Sequence, residues 1–278
     1  MKIIDQLMED ETNFPFYKFT SGKLSVMKLF FRPQGQGKPL IILHGLLGSS
    51  DNWHSLGKLF AETFSVYIVD QRNHGQSPHS DEFNYKLLTE DLEEFIKENK
   101  IEKPHIIGHS MGGKTAMNFA VKNPTGVDKL IVVDIVPKKY VVRHDRLIEG
   151  MKAIPLKDIT TRAEAEVALA GYEPDPAVRQ FLLKNLARDE EGKFVWKVNL
   201  PAIDQHLQET GEEMVYKGTF DGPTLFINGK KSDYYVNGDD VLIKKIFPHS
   251  QIISLDTGHW VQAEKPQEFS QVVLQFLK

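Results

Sequence analysis

The chain of 278 residues contains no cysteine. Disulfides, thiolate metal sites and a cysteine nucleophile are thereby excluded. Charge of one sign is also missing, since 34 Lys and Arg stand against 38 Asp and Glu, a net charge of −4. A strongly basic footprint is therefore absent, and no nucleic-acid partner is expected. Nowhere do 18 apolar residues run together, so no membrane span is expected. The amino terminus reads MKIIDQLMEDE, where acids interrupt each apolar stretch before it reaches the length a secretory signal needs. The resulting expectation is a cytoplasmic protein. H-E-x-x-H, EF-hand and Cys/His ligand spacings do not occur, nor do G-x-G-x-x-G and Walker patterns. Neither a metal nor a cofactor is implied.

What remains is an ordinary globular composition, 41% apolar and 26% charged. The length suits one large core with a smaller appended lobe. Short β-branched runs at Val26–Phe31, Leu40–His44, Val66–Asp70, His105–Gly108, Leu130–Asp134, Thr224–Asn228 and Ile252–Asp256 read as strands. Several, such as LIIL and LIVV, are continuously apolar, as in strands covered on both faces. Amphipathic segments lie around Trp53–Phe64, Leu87–Asn99, Met111–Lys122, Asp240–Phe247 and Pro266–Leu277. Strand and helix in alternation predict an α/β domain with a mostly parallel sheet. From Lys138 to Asp221 the rhythm breaks, and only helical spacing is evident in LIEGMKAI, AEAEVALAGY and DPAVRQFLLKNLA. That interval is too long for a simple crossover. It predicts a helical cap over residues 138–221, set on a core built from 1–137 and 222–278.

The chemistry-bearing signal is Gly108-His109-Ser110-Met111-Gly112, followed by Gly113. A G-x-S-x-G match alone arises by chance in roughly one chain in ten of this length, so context decides. HII precedes the motif as a strand and MGGKTAMNFAVKN follows it as a helix. A sharp strand-to-helix turn lifts a serine hydroxyl above the sheet edge as a nucleophile. His44-Gly45-Leu46-Leu47-Gly48 closes the second strand, and its glycine-opened loop can aim a backbone N–H at the same space. The N–H groups of Leu46 and Met111 are the candidate oxyanion-hole donors.

Of the ten histidines, His259 in Asp256-Thr257-Gly258-His259-Trp260 stands just after the last strand, at the edge that carries Ser110. It is the candidate general base. His54, His79, His144 and His249 read as surface residues, and His206 falls in the cap. His74 reads as a loop-shaping residue, and His109 as pointing away from the site. Two acids could orient His259. Asp134 ends LIVVD, one strand beyond the nucleophile's own, and Asp233 lies in GKKSDYY after Thr224–Asn228. The usual spacing places the acid three residues beyond Gly229, which is Ser232, so Asp233 falls one position late. Asp134 is favoured, with Asp233 as the alternative. Trp260 and Trp196 are candidate substrate-binding residues, and cap or core packing is an equal reading for Trp196.

Taken together, these residues resemble the α/β-hydrolase superfamily from about Met27 to Leu277. LHGLLGSSDNW, VDQRNHGQSPHS, GHSMGGKTAM and VVDIVP look like one subfamily within it. That subfamily is the bacterial esterases and their mitochondrial relatives, which cleave short acyl esters and sometimes acyl-CoA thioesters. Lys114 and the VRQFLLKNL and FVWKVNL segments strengthen the match. The resemblance implies a central sheet of about eight strands, and a triad of Ser110, His259 and a carboxylate that maps to Asp134. The expected activity is cofactor-free hydrolysis of a small-molecule acyl ester or thioester. A perhydrolase or carbon–carbon hydrolase would use the same triad, and a ligand receptor of this fold would keep it without fast turnover.

Overall fold

Alternation within the apolar runs sets the layers. The computed structural model describes residues 27–278, so the reading of the amino-terminal segment lies outside the described residues. In β2 (Lys38–Leu43), Leu40 and Ile42 join one apolar cluster, while Ile41 and Leu43 join another. A period of two sends successive side chains to opposite faces, and a strand apolar at every position is therefore covered on both. The same holds in β4 (His105–His109) and β5 (Leu130–Val133), where every residue is buried.

Seven strands form the main sheet among the described residues. With β1 (Phe31–Gln34), β3 (Phe64–Val69), β8 (Thr224–Gly229) and β9 (Ser250–Leu255), the spatial order is β1-β3-β2-β4-β5-β8-β9. Only β1 runs antiparallel, pairing Phe31 with Val69. The expectation of about eight strands is corrected to seven. The run Val26–Phe31 is likewise displaced, because the ladder with β3 begins only at Phe31. Met27 and Leu29 are buried, yet they serve the core and not the ladder; Val26 lies outside the described residues.

Helices α2 (Tyr85–Glu98) and α3 (Met111–Lys122) cover one face, with α8 (Asp239–Ile246). The other face is covered by α1 (His54–Phe60) and α10 (Pro266–Leu277). The short α9 (Val261–Glu264) leads into α10. Both α3 and α10 occupy the sequence segments that predicted them, because each carries an uninterrupted apolar stripe.

Between β5 and β8 the chain forms α4 (Asp145–Ala153), α5 (Arg162–Leu169), α6 (Pro176–Leu183) and α7 (Leu200–Gln205). Local chemistry starts these helices. Thr161 and Glu164 close a capping box on α5, and Asp175 caps α6 ahead of Pro176. The all-helical expectation for this interval fails at one point, where β6 (Leu186–Arg188) and β7 (Phe194–Trp196) make an antiparallel hairpin. Three-residue strands are too short to show a period of two. The hairpin is organised by Asp189, whose carboxylate accepts the N–H groups of Glu191 and Lys193. A third apolar cluster gathers Ile148, Met151, Leu169, Leu182 and Ile203 from this segment with Leu46, Leu47 and Met111 from the carboxyl edge of the sheet. The segment is thus packed onto the edge where the candidate residues emerge. No helix among the described residues is long and apolar enough to cross a membrane.

Candidate active site

Ser110 sits between β4 and α3 with φ 51° and ψ −117°. A non-glycine residue held there stores about 1–3 kcal/mol of strain, which persists only where the surroundings enforce it. The enforcement is visible. The N–H of Ser110 donates to the Val133 carbonyl at 3.0 Å, and the flanking glycines let strand and helix close on each other. A Cβ at Gly108 would meet the Gly112 carbonyl oxygen at 2.3 Å, and one at Gly112 would meet the Leu43 carbonyl oxygen at 2.5 Å. The G-x-S-x-G spacing is therefore a packing requirement of this turn.

Asp134 follows β5 at the same edge, also in the left-handed region with φ 47°. Its carboxylate is wholly buried and every oxygen is used. Oδ1 accepts the Gly229 N–H at 2.8 Å, while Oδ2 accepts the Ser232 hydroxyl and His259 Nδ1–H at 2.7 Å. Of the two candidate acids, Asp134 is the one brought to His259. Asp233 is exposed and paired with Arg143 instead. Ser232 occupies the position where the usual spacing places an acid, and here it supports the acid supplied by β5. Tyr234 stacks on the His259 ring, with centroids 4.1 Å apart and planes 18° from parallel. His109 lies beside His259, 4.8 Å between ring centroids, and its Nε2–H donates to the His259 carbonyl at 2.9 Å. His109 thus braces the histidine loop, a contact that its sequence position did not signal. Burial holds its pKa well below the ordinary histidine range, which keeps it neutral.

The loop after β2 lies against the serine. A Cβ on Gly45 would meet His109 Nδ1 at 2.8 Å and Ser110 Cβ at 3.3 Å, so the loop can approach this closely only as glycine. Leu47 (φ 58°) is pinned from two sides, its N–H donating to His74 Nε2 at 3.2 Å and its carbonyl accepting Asn185 Nδ2–H at 2.7 Å. His74 in turn donates Nδ1–H to the Arg72 carbonyl. That pattern needs a neutral ring, and burial supplies it by pushing the His74 pKa far down. His44 Nε2 accepts the Gln71 N–H at 3.0 Å. The Asp70–Ser77 loop thereby shapes the loop that carries Leu46. Met111 opens α3, so its N–H has no acceptor within the helix.

Two small cavities meet at Ser110, and Leu46, Ser110 and His144 line both. One, of about 30 Å³, adds Met111, Tyr140 and Tyr234. The other, of about 20 Å³, adds His259, Trp260 and Phe181. Among the described residues no hydrogen bond joins Ser110 Oγ to His259; such contacts often tighten only when substrate binds. Trp260 reaches the second cavity, edge-on to His259 at 5.7 Å. Trp196 lines neither cavity and packs against the apolar cluster of the 138–221 segment. His144 is misplaced by its polar neighbours in the sequence. It faces both cavities, and burial drops its pKa to about 4. Lys114, in the first turn of α3, is buried with its Nζ donating to the carbonyls of Thr210 and Glu212 at 3.2 and 2.8 Å. Burial lowers its pKa to about 8. No group of three or more His, Asp or Glu among the described residues is arranged to hold a metal ion.

Comparison with known proteins identifies the family to which this fold belongs. A family model described as the alpha/beta hydrolase fold matches residues 38–164. Over 257 residues the chain is 38% identical to the sn-1-specific diacylglycerol lipase ABHD11 of Danio rerio, spanning 89% of this chain and 81% of that protein. It is 34% identical over 260 residues to the esterase YbfF of Escherichia coli (strain K12), spanning 92% and 99%. Among solved structures, a marine microorganism esterase superposes with a TM-score of 0.87 at 43% identity, covering 90% of this chain and 99% of that one. The chain belongs to the α/β-hydrolase family.

Proposed function

We propose that this protein is a carboxylesterase-type serine hydrolase that cleaves small-molecule esters of short to medium acyl chains through an acyl-enzyme on Ser110. The observation that carries the reading is the Asp134–His259 pair at 2.7 Å, opening onto the cavity that holds a strained serine. With Nδ1–H committed to Asp134, His259 presents an unprotonated Nε2 as the base. It takes the proton of Ser110 as Oγ attacks the acyl carbonyl. The N–H groups of Leu46 and Met111 receive the developing oxyanion, each worth about 3 kcal/mol by analogy with measured deletions. His259 then protonates the leaving alcohol, and water repeats the sequence to release the acid.

Support also comes from the relatives, which carry lipase and esterase names. A thioester suits the same machinery, because a thiolate leaves with less help from an acid; acyl-CoA thioesters fall within the proposed substrate class. Residues 138–221 act as the cap that sets chain length. Cavities of about 30 and 20 Å³ hold only one or two waters each, so longer chains require this segment to shift.

The test is a p-nitrophenyl ester series from acetate to dodecanoate, with wild type and Ser110→Ala. The expected result is highest kcat/KM at the short end and loss of turnover in the variant. Equal rates from both proteins, or no turnover of any ester by folded wild type, would overturn the reading.

A further inference from the structure

His109 brings to the site a hydrogen-bond acceptor that the triad leaves idle. Its Nε2 meets the His259 carbonyl at 2.9 Å. A carbonyl only accepts, so the ring proton sits on Nε2 and a lone pair on Nδ1. Nδ1 has no hydrogen-bond partner among the described residues, and unlike His144 Nδ1 it is not sealed from solvent. The ring lines the cavity that Ser110, His259 and Trp260 share, although its place in the sequence predicts the opposite direction. Gly45 keeps the nitrogen open, since a Cβ there would come within 2.8 Å of Nδ1 and 3.3 Å of Ser110 Cβ.

The size of the cavity narrows what Nδ1 can hold. A volume of about 20 Å³ admits a single water, which then needs at least two polar partners. The rings of His109 and His259 are 4.8 Å apart between centroids. One water spans such a gap with two hydrogen bonds of about 2.9 Å. His259 Nε2 is free to accept, because Nδ1–H is committed to Asp134. The other rings packed on His259 are those of Tyr234 and Trp260. Tyr234 belongs to the other cavity and an indole N–H only donates, which leaves His109 as the second acceptor. Water is the small nucleophile that carries two O–H donors. With both protons placed, its oxygen lone pairs are left to face the acyl carbon on Ser110. An alcohol carries one O–H and satisfies His259 alone.

We propose that His109 is a positioning residue for deacylation: its Nδ1 accepts one O–H of the attacking water while His259 Nε2 accepts the other. The water oxygen bonds to the acyl carbon as His259 removes the proton that it holds. On collapse that proton passes to Ser110 Oγ, the bond from Oγ to the acyl carbon breaks, and the free acid leaves. His109 takes no proton, because burial holds its pKa well below the ordinary histidine range. This role rests on the ester-hydrolase reading above and assigns a residue to its second half.

The experiment divides the acyl-enzyme between two acceptors. p-Nitrophenyl butyrate is turned over in methanol–water mixtures, and the ratio of methyl butyrate to butyrate is measured. That ratio reads the acyl-enzyme alone, whichever step limits turnover. His109→Gln keeps an amide donor for the His259 carbonyl and deletes the Nδ1 acceptor. The ratio should rise about tenfold, the effect of one hydrogen bond lost by water and not by methanol. His109→Asn returns an oxygen near the Nδ1 position and should bring the ratio back toward wild type. A purely structural role lowers both products together, so an unchanged ratio in His109→Gln would overturn the proposal. So would an equal rise in His144→Phe, since His144 lines the same cavity. Fluorophosphonate labelling of Ser110 checks that each site is assembled. Should His109→Gln fail to label, His109→Phe and His109→Asn make the same comparison, as both lack the donor to His259 and differ in the acceptor; equal ratios in that pair would also overturn it. A wild type that neither labels nor turns over the ester defeats the ester-hydrolase reading itself, a result distinct from active enzyme with an unchanged ratio.

Discussion

Replacing Asp134 by Asn changes one atom, and the structure dictates where the change falls. Oδ1 is held by the Gly229 N–H, a backbone donor that cannot turn away, whereas Oδ2 accepts from Ser232 and His259 Nδ1. The amide oxygen must therefore take the Oδ1 position, which places the amide nitrogen against Nδ1. An N–H donor there demands an acceptor, so the His259 proton moves to Nε2, the atom that should receive the proton of Ser110. By analogy with the protease triad the wrong tautomer lowers kcat about 10⁴-fold, or about 5.5 kcal/mol of barrier. Folding should survive, since the side chain keeps its shape and asparagine tolerates the left-handed backbone as well as aspartate does. Steady-state hydrolysis of p-nitrophenyl butyrate, with the thermal midpoint beside it, measures both effects. Asp233→Asn is the control. It breaks only an exposed pair with Arg143 and should leave the rate within twofold of wild type. Retention of a tenth or more of the rate by Asp134→Asn, or a larger loss from Asp233→Asn, would refute the reasoning.

Two further predictions concern buried bases away from the triad. Burial lowers Lys114 to about 8 from 10.5, so between those values the unfolded chain holds a proton that the folded chain has released, and stability rises with pH. Urea unfolding at pH 8 and pH 10 should show wild type gaining on Lys114→Met by about 2 kcal/mol; parallel curves would contradict the assignment. His105, at the opposite end of β4, has neither ring nitrogen hydrogen-bonded among the described residues, and its pKa is lowered to about 4, chiefly by burial. As pH falls from 6.5 toward 4 the unfolded chain takes up a proton that the folded chain refuses, and stability is lost. His105→Phe should therefore lose about 2 kcal/mol less than wild type between pH 7 and pH 5, and an equal acid loss in both proteins would count against it.

Most of the scaffold is legible in the sequence because buried parallel strands and one-sided helices leave strong patterns. LIIL, HII and LIVV become β2, β4 and β5, and Met111–Lys122 is α3. Spacing also marks Ser110 and His259, since each lies just past a strand at one edge of the sheet. The sequence favours Asp134 and keeps Asp233 as the alternative, because both follow strands at that edge; three-dimensional reach to His259 separates them. His144 is hidden for a different reason. VVRHDR reads as a polar surface stretch, and only the fold of residues 138–221 onto the sheet edge turns that histidine inward. Tyr234 and His109 are equally silent, as stacking on His259 and bonding to its carbonyl are contacts across 25 and 150 positions. The hairpin of β6 and β7 escapes notice because three-residue strands have no period to read.

The most direct test of the central claim, that Ser110 is an activated nucleophile, is labelling with a fluorophosphonate followed by mass spectrometry of the modified peptide. The probe reacts with a serine only where a base and an oxyanion hole are assembled, and it presupposes no natural substrate. A single stoichiometric adduct on Ser110 is expected, formed far more slowly in Asp134→Asn. An adduct on another serine, or none on folded wild-type protein, would contradict it.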